Sequence, residues 1–158
     1  MGILKDLTDE YFGKIERMED TREFIDFGGK TTVLWAKYSL EIDGKSNFYF
    51  DDVKDFNKGG WRLPTIKEVK QIFKLEFHAG CWKNGYSVIR FTKGIELNVK
   101  MDSSVYGFHM WTKDEDNRFK SSRAWAYGFD NMYKFDFDSY NTSYTKCRVL
   151  LVKDKNKK

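Results

Sequence analysis

Apolar and polar residues alternate with two different periods along the chain, and the change of period divides it. In the first 23 residues, apolar side chains recur at spacings of three and four, which is typical of one face of an amphipathic helix. These positions are Leu4, Leu7, Tyr11, Ile15 and Met18. Gly13 weakens such a helix by about 1 kcal/mol relative to alanine, so two shorter helices are an alternative. The pattern predicts an N-terminal helical extension over residues 1–23.

The pattern changes at Phe24 to short runs of β-forming residues. Two such runs flank the glycines at 28–29, which predicts a hairpin that ends near Trp35. A turn or two of helix is predicted over 51–56, because two apolar residues lie three apart and a glycine pair at 59–60 ends the segment.

The clearest local signal in the chain is a helix start after Pro64. Thr65 and Glu68 form a capping box, in which the threonine hydroxyl accepts from the amide of Glu68 and the glutamate carboxylate accepts from the amide of Thr65. An apolar stripe at spacings of three and four follows. This combination predicts a helix from Ile66 to about Leu75.

No helical period follows Gly80, where short alternating runs are separated by Gly, Asn, Asp and Ser. The predicted strands centre on residues 86–89, 95–99, 125–129, 135–137 and 149–151. In the third of them, Trp125, Tyr127 and Phe129 are expected to face inward, with Ala124, Ala126 and Gly128 outward. Helices gathered early and antiparallel strands late predict the α+β class.

Composition narrows the class of protein. A chain of 158 residues supports one domain, and 41% hydrophobic with 18% aromatic residues is too apolar for disorder. One proline and two cysteines exclude collagen-like, disulfide-dense and four-cysteine zinc proteins. Cys81 and Cys147 have no metal or redox spacing, so we interpret them as small buried hydrophobes, with a single disulfide as the alternative.

Charge is nearly balanced outside the C-terminus. The net charge is +4, and the last six residues hold four lysines and one aspartate. The body therefore offers no footprint for nucleic acid, and residues 153–158 are predicted to form a disordered tail. No apolar run is long enough for a signal peptide or a membrane span. The sequence as written predicts a cytoplasmic protein, or one released as part of a phage or surface particle.

Four landmarks then occur in a recognisable order. They are Val33-Leu34-Trp35-Ala36-Lys37-Tyr38, Gly60-Trp61-Arg62-Leu63-Pro64-Thr65 with Glu68, Met110-Trp111-Thr112, and Cys147-Arg148-Val149. This order resembles the C-terminal domain of Legionella collagen-like proteins and the related major paralogous domain of bacterial surface proteins, over residues 24–152. The resemblance implies a C-type-lectin-like fold, as in formylglycine-generating enzymes and the variable proteins of diversity-generating retroelements. It also implies that Trp35, Trp61 and Trp111 fill the core.

The chemistry of those relatives does not transfer. Formylglycine-generating enzymes need a close cysteine pair for copper, and calcium-dependent lectins need proline-containing tripeptides that this chain lacks. We therefore expect no cofactor and no metal. The acidic run 114–117 is interpreted as a solvated loop, with a hard-cation site as the alternative. His78, at the end of the capped helix, and His109 are interpreted as structural imidazoles.

A Tyr, Asn, Asp and Ser-rich stretch over 130–145 is the candidate recognition surface, because antibody paratopes use the same residue types. With Phe135 and Phe137 facing inward, the polar residues of this strand face outward, and the following residues form a loop. The candidate ligand-binding residues are Asp116, Asn117, Arg118, Lys134, Asp136, Asp138, Tyr140, Asn141 and Tyr144.

The leading hypothesis from sequence is a non-enzymatic domain that binds a protein or glycan, without nucleic acid or membrane insertion. The stretch also resembles the output of retroelement diversification. A gene rich in adenine and thymine is an alternative source of the same residues, and edge-strand tyrosines with high β propensity are another. Two other functions remain open. One is an enzyme with a site around His109, Asp114 and Asp116, and the other is a structural subunit of a phage tail or surface assembly.

Overall fold

The computed structural model describes residues 22–101, 108–129 and 134–155. Its helices are α1 (Phe50–Val53) and α2 (Ile66–Phe73). Its strands are β1 (Phe24–Ile25), β2 (Val33–Ala36), β3 (Phe48–Tyr49), β4 (Trp61–Arg62), β5 (Phe77–Lys83), β6 (Tyr86–Phe91), β7 (Glu96–Lys100), β8 (Phe108–Glu115), β9 (Arg123–Phe129), β10 (Phe135–Asn141), β11 (Lys146–Cys147) and β12 (Val152–Asp154). The predicted helical extension lies outside the described residues, apart from residues 22 and 23.

The strands form four small sheets, and every pairing between named strands is antiparallel. A four-stranded sheet has the order β1-β2-β12-β4, and β5-β6-β7 and β10-β9-β8 are three-stranded, while β3 pairs with β11. The predicted hairpin at the start of this region is confirmed as β1 and β2. The result is a β-rich, α+β arrangement. Among the described residues, no helix has the length and apolar character needed to cross a membrane.

The capping box of α2 is confirmed. The hydroxyl of Thr65 accepts from the Glu68 amide at 3.2 Å, and Glu68 Oε1 accepts from the Thr65 amide at 2.9 Å. A third helix-end amide, that of Ile66, donates to Asp114 Oδ2 at 2.7 Å. The helix ends at Phe73, two residues before the predicted end. Asp114, from a distant part of the chain, therefore caps the N-terminus of α2. A carboxylate is favoured there by the exposed amides and the helix dipole.

A salt-bridge network joins α2 to the four-stranded sheet. Arg62 on β4 donates to both carboxylate oxygens of Glu68, at 2.8 and 2.7 Å, and to Asp154 Oδ1 on β12 at 2.8 Å. The disordered tail predicted from Lys153 is therefore wrong at its start, because β12 pairs with both β2 and β4 and Lys155 contacts Asp26 at 2.7 Å.

Two hydrophobic clusters pack on opposite faces of the sheet β10-β9-β8. Tyr127 and Phe129 belong to one cluster, whereas Ala124 and Ala126 belong to the other, with Trp111. The expectation that Ala124, Ala126 and Gly128 face outward is wrong, since all three are buried. The alternation was predicted correctly, but a strand covered on both faces has no solvent side. Trp35, Trp61 and Trp111 are buried as expected.

Four other local predictions need correction. No strand forms over 149–151, because these residues connect β11 to β12. His78 lies in β5 rather than at the end of the capped helix, because α2 ends earlier and Phe77 starts a strand. Asp114 and Glu115 end β8 rather than forming a loop. Tyr140 and Asn141 complete β10 rather than following it. Both cysteines are free. Cys147 is buried as predicted, and this burial raises the pKa of its thiol to about 12, whereas Cys81 is only partly buried.

Tyr127→Phe is expected to leave the free energy of unfolding unchanged or to raise it by up to about 1 kcal/mol. The Tyr127 hydroxyl is fully buried and has no hydrogen-bond partner among the described residues, and burial raises the pKa of this group. Removing it deletes a desolvated polar group and no bond. Urea unfolding at pH 7 tests this, and a loss above 1 kcal/mol would show that the hydroxyl has a partner.

Candidate functional site

The candidate residues lie around the sheet β10-β9-β8, but they do not form one surface. Side chains alternate along β10, so Asp136, Asp138 and Tyr140 share the face on which Gly128, Ala126 and Ala124 lie opposite them. Arg118 instead stacks over Trp125, whose side chain belongs to the other face. Of the remaining candidates, Asn117 is exposed in the β8–β9 loop, Lys134 is exposed just before β10, and Asn141 and Tyr144 lie at its far end.

His109 also belongs to this site, although it was not among the candidate ligand-binding residues. It lies on the edge strand β8, opposite Gly128, and Asp136 lies opposite the same glycine from the other edge. Because Gly128 has no side chain, the two flanking side chains meet above it. His109 Nε2 and Asp136 Oδ1 are 3.3 Å apart. The imidazole is mostly buried, while more of the carboxylate reaches solvent.

Tyr140 and Asp138 extend this group along the same face. The Tyr140 ring packs edge-on against His109, with centroids 5.4 Å apart, and against Trp111 at 6.4 Å. Burial, together with the nearby Asp138 carboxylate, raises the pKa of Tyr140 to about 12, so its phenol is neutral at pH 7. We call these four residues, His109, Asp136, Asp138 and Tyr140, the His109 cluster.

Asp116 is the residue in the acidic run whose setting differs most from the sequence prediction. Its side chain is 1% exposed rather than solvated. Arg118 donates to both of its carboxylate oxygens, at 2.9 and 2.8 Å. These hydrogen bonds hold the pKa of Asp116 well below its usual range. Asp116 is thus a buried carboxylate paired with an exposed arginine, and this ion pair restrains the β8–β9 loop.

Arg118, which is paired with Asp116, also stacks on two aromatic rings. Its guanidinium carbon lies 4.6 Å from the Trp125 ring centroid and 5.3 Å from that of Phe119. Arg123 stacks on Phe119 from another position at 4.9 Å and also donates to the hydroxyl and carbonyl oxygens of Ser139. Phe119 is nonetheless 52% exposed, which leaves an aromatic ring held between two cations at the surface.

The turn after β10 presents a second exposed ring. Asn141 Oδ1 accepts from the Ser143 amide and hydroxyl and from the Tyr144 amide, at 2.8, 3.0 and 3.0 Å. Thr142 is buried and ties this turn to Ser122 through its amide at 3.1 Å and its hydroxyl at 3.0 Å. Tyr144 is 84% exposed. A constrained backbone therefore carries a ring that the described residues leave exposed.

These contacts place the β8–β9 loop and the turn after β10 side by side at one end of the sheet. We call this surface the loop end and define it by Arg118, Phe119, Arg123, Asn141 and Tyr144. Sequence reasoning found three of these residues and missed Phe119 and Arg123. A signal was present, since Phe119 lies between Arg118 and Lys120, and Arg123 follows within six positions of the acidic run.

The alternative enzyme site is not assembled in this structure. His109 contacts Asp136, Asp114 accepts from the amide of Ile66, and Asp116 is paired with Arg118. Each of the three residues has a different partner in a different part of the fold. His109 and Asp114 lie on β8 and Asp116 follows it, but the strand has a bulge between Trp111 and Glu115, and residues within this bulge contact Pro64 and Ile66 at the start of α2.

Comparison with known proteins found no relative of this chain. No protein-family model matches the chain, and neither a curated protein nor a solved structure is significantly similar to it.

Proposed function

We propose that this chain is a non-enzymatic recognition domain of the C-type-lectin-like fold, and that the loop end binds a protein or glycan ligand. The observation that carries the proposal is the exposure of Tyr144 and Phe119 on backbone segments fixed by hydrogen bonds and an ion pair. A large exposed ring on a rigid support binds with little loss of conformational entropy.

The chemistry of the loop end favours a ligand with a flat or apolar face and accessible acceptor groups. The Arg118 charge is balanced by Asp116, whereas the Arg123 guanidinium is bonded to neutral Ser139. Aromatic and arginine side chains are enriched at binding hot spots for this reason, because they combine apolar area with directed donors. Sugar rings and extended peptide segments both satisfy these requirements.

The fold assignment within this proposal is supported by the segment from Trp61 to Glu68. In this chain the segment starts a helix, satisfies its first amides and pairs Arg62 with the helix carboxylate and the last strand. A single capped helix over small antiparallel sheets is compatible with a C-type-lectin-like domain. A high-resolution structure whose strand order differs from that of the lectin-like domains would contradict it.

We expect screening of the full chain on glycan and protein arrays to yield a ligand whose binding depends on the loop end. For that ligand, Tyr144→Ala and Phe119→Ala should each weaken affinity by about 30-fold, the loss typical of a hot-spot residue. Tyr144→Phe separates the contribution of the ring from that of its hydroxyl.

Trp82→Ala is the matched control. Trp82 is a ring of similar exposure, 53%, and lies on β5, in a different sheet. Its removal should leave affinity within about twofold. Equal losses at Tyr144 and Trp82 would show that exposed rings bind without specificity. Arrays without any signal, combined with turnover of a small molecule, would count against a recognition domain.

A further inference from the structure

We propose that His109, Asp136 and Asp138 bind a divalent transition-metal ion of the zinc class. This inference does not rest on the proposed recognition function, because these side chains lie on the face of the sheet opposite Trp125. Each residue offers one ligand atom, and the three ligand atoms lie within 4.8 Å of one another. They are the one group of three metal-ligating side chains with this proximity among the residues that the structure describes.

The distances suit a small cation. Zinc binds imidazole nitrogen at about 2.0–2.1 Å and carboxylate oxygen at about 2.0–2.2 Å, so two ligand atoms in a tetrahedral site lie about 3.4 Å apart. The His109 nitrogen and the Asp136 oxygen already have that separation, at 3.3 Å. Asp138 needs only a rotation of its exposed side chain to complete the group, since it is two positions along the same strand.

The sheet holds these donors in place. His109 and Asp136 come from the two edge strands, and β9 lies between them with Gly128 at the crossing point. Position 128 is a glycine, so β9 places no side chain between the two donors at this register. Ligands on paired strands are more precisely positioned than ligands on loops, which reduces the entropy lost when an ion binds.

The donor types select the class of ion. Calcium and magnesium are bound almost entirely by oxygen, whereas an imidazole with carboxylates suits zinc and neighbouring transition metals. Two carboxylates on the same strand face repel each other, and a divalent ion would offset that repulsion. Lys134, which lies just before β10, is the nearest cation along the chain. Three protein ligands leave a coordination position for water or for an oxygen atom of a bound molecule.

Titration of the full-length protein with Zn²⁺, followed by NMR of the imidazole resonances, tests the proposal. The chain has two histidines, so the signals are assigned by the variants themselves. One equivalent of Zn²⁺ should shift the His109 signal and leave that of His78 in place. A tenfold excess of Mg²⁺ should not reverse the shift.

Affinity measurements on variants decide the ligand set. We expect His109→Ala to weaken Zn²⁺ binding by about 100-fold and Asp138→Asn by at least tenfold, since even supporting residues around metal sites contribute 10–100-fold. Asp138 is exposed, so its variant should fold even if the histidine variant does not. His78→Ala and Cys81→Ser are matched controls, because both residues lie on β5, and should bind as the wild type does.

Each outcome either supports or contradicts the proposal. Loss of binding in His109→Ala and Asp138→Asn, with normal binding in both controls, supports the site. Loss in a control variant would assign the ion to β5 instead. Unchanged affinity in Asp138→Asn, or no shift at millimolar Zn²⁺, would overturn the proposal.

Discussion

Trp111→Phe is expected to lower the free energy of unfolding by about 2–4 kcal/mol. Trp35→Phe should lower it less, and the difference between the two losses should be about 1–3 kcal/mol. Both indoles are fully buried, so both changes remove similar apolar volume. They differ in polar chemistry. Trp111 Nε1 donates to the carbonyl of Phe48 at 2.7 Å, whereas Trp35 Nε1 has no partner among the described residues.

The difference arises because Trp111→Phe leaves the Phe48 carbonyl without this donor inside the core. Trp35→Phe removes a donor that has no bond, so part of its cavity cost is offset. Urea denaturation of both variants beside the wild type measures the difference directly. Equal losses would show that the indole hydrogen bond contributes nothing, and a larger loss for Trp35 would contradict the assignment of its unpaired nitrogen.

Glu68→Ala is expected to destabilise the domain by about 2–4 kcal/mol at pH 7. The substitution removes both hydrogen bonds from Arg62 and the one from the amide of Thr65. It leaves a partly buried guanidinium with Asp154 as its remaining carboxylate partner. Glu76→Ala is the matched control, because Glu76 is exposed and its loss should stay within about 0.5 kcal/mol.

The same carboxylate gives a pH-dependent stability. Burial acts to raise the pKa of Glu68, but hydrogen bonds from Arg62 and Thr65 outweigh it, so the pKa lies below its usual value of 4.5. A lowered folded-state pKa means that the stabilisation is complete above about pH 4.5 and is lost as the pH falls through the folded-state value.

The free energy of unfolding, measured at pH 7 and at pH 3, therefore distinguishes the wild type from Glu68→Ala. The wild type should lose more stability on acidification than Glu68→Ala, because the variant has no carboxyl group to protonate at this position. Arg62→Lys should show an intermediate loss at pH 7, since an ammonium cannot make the paired contact of a guanidinium. Parallel pH profiles for the wild type and Glu68→Ala would contradict the network.

The sequence predicted those parts of the fold that depend on neighbours along the chain. The capping box needs only Thr65 and Glu68, three positions apart, and was predicted at the level of individual atoms. The hairpin around residues 28–29 depends on an equally short range. The inward direction of Phe135 and Phe137, which pack against the cluster of Tyr127 and Phe129, was also predicted. Side chains alternate along a strand whatever its partners are, so a short segment is enough to show the pattern.

The strands β5 and β8 were missed for a physical reason. The segment Phe77–Lys83 contains a histidine, a glycine and a bulge between His78 and Cys81, so its alternation is interrupted. The end of β8 is acidic and also bulged, and it is held by contacts with Pro64 and Ile66 near the start of α2. The contacts of β8 with Pro64 and Ile66 join residues far apart in the chain, so the local pattern of hydrophobic residues does not predict them.

The candidate surface shows the same division. Residue types in 130–145 indicated a recognition region, yet they did not show that Asp136 and Tyr144 belong to different surfaces. His109 and Asp136 are 27 positions apart and meet only because each pairs opposite Gly128. Asp116 was interpreted as part of a solvated loop, whereas its carboxylate is buried and paired with Arg118, because burial depends on the strands that surround it.

The sequence by itself determined the helix start at Thr65, the early hairpin and the antiparallel α+β character. Capping, turn formation and hydrophobic period act over a few residues, so the chain carries them without further information. The tertiary structure alone decided that Ala124 and Ala126 are buried, that Arg62 links α2 to β12, and which side chains converge over Gly128. Those outcomes depend on strand register, which joins residues far apart in the chain and which no local pattern specifies.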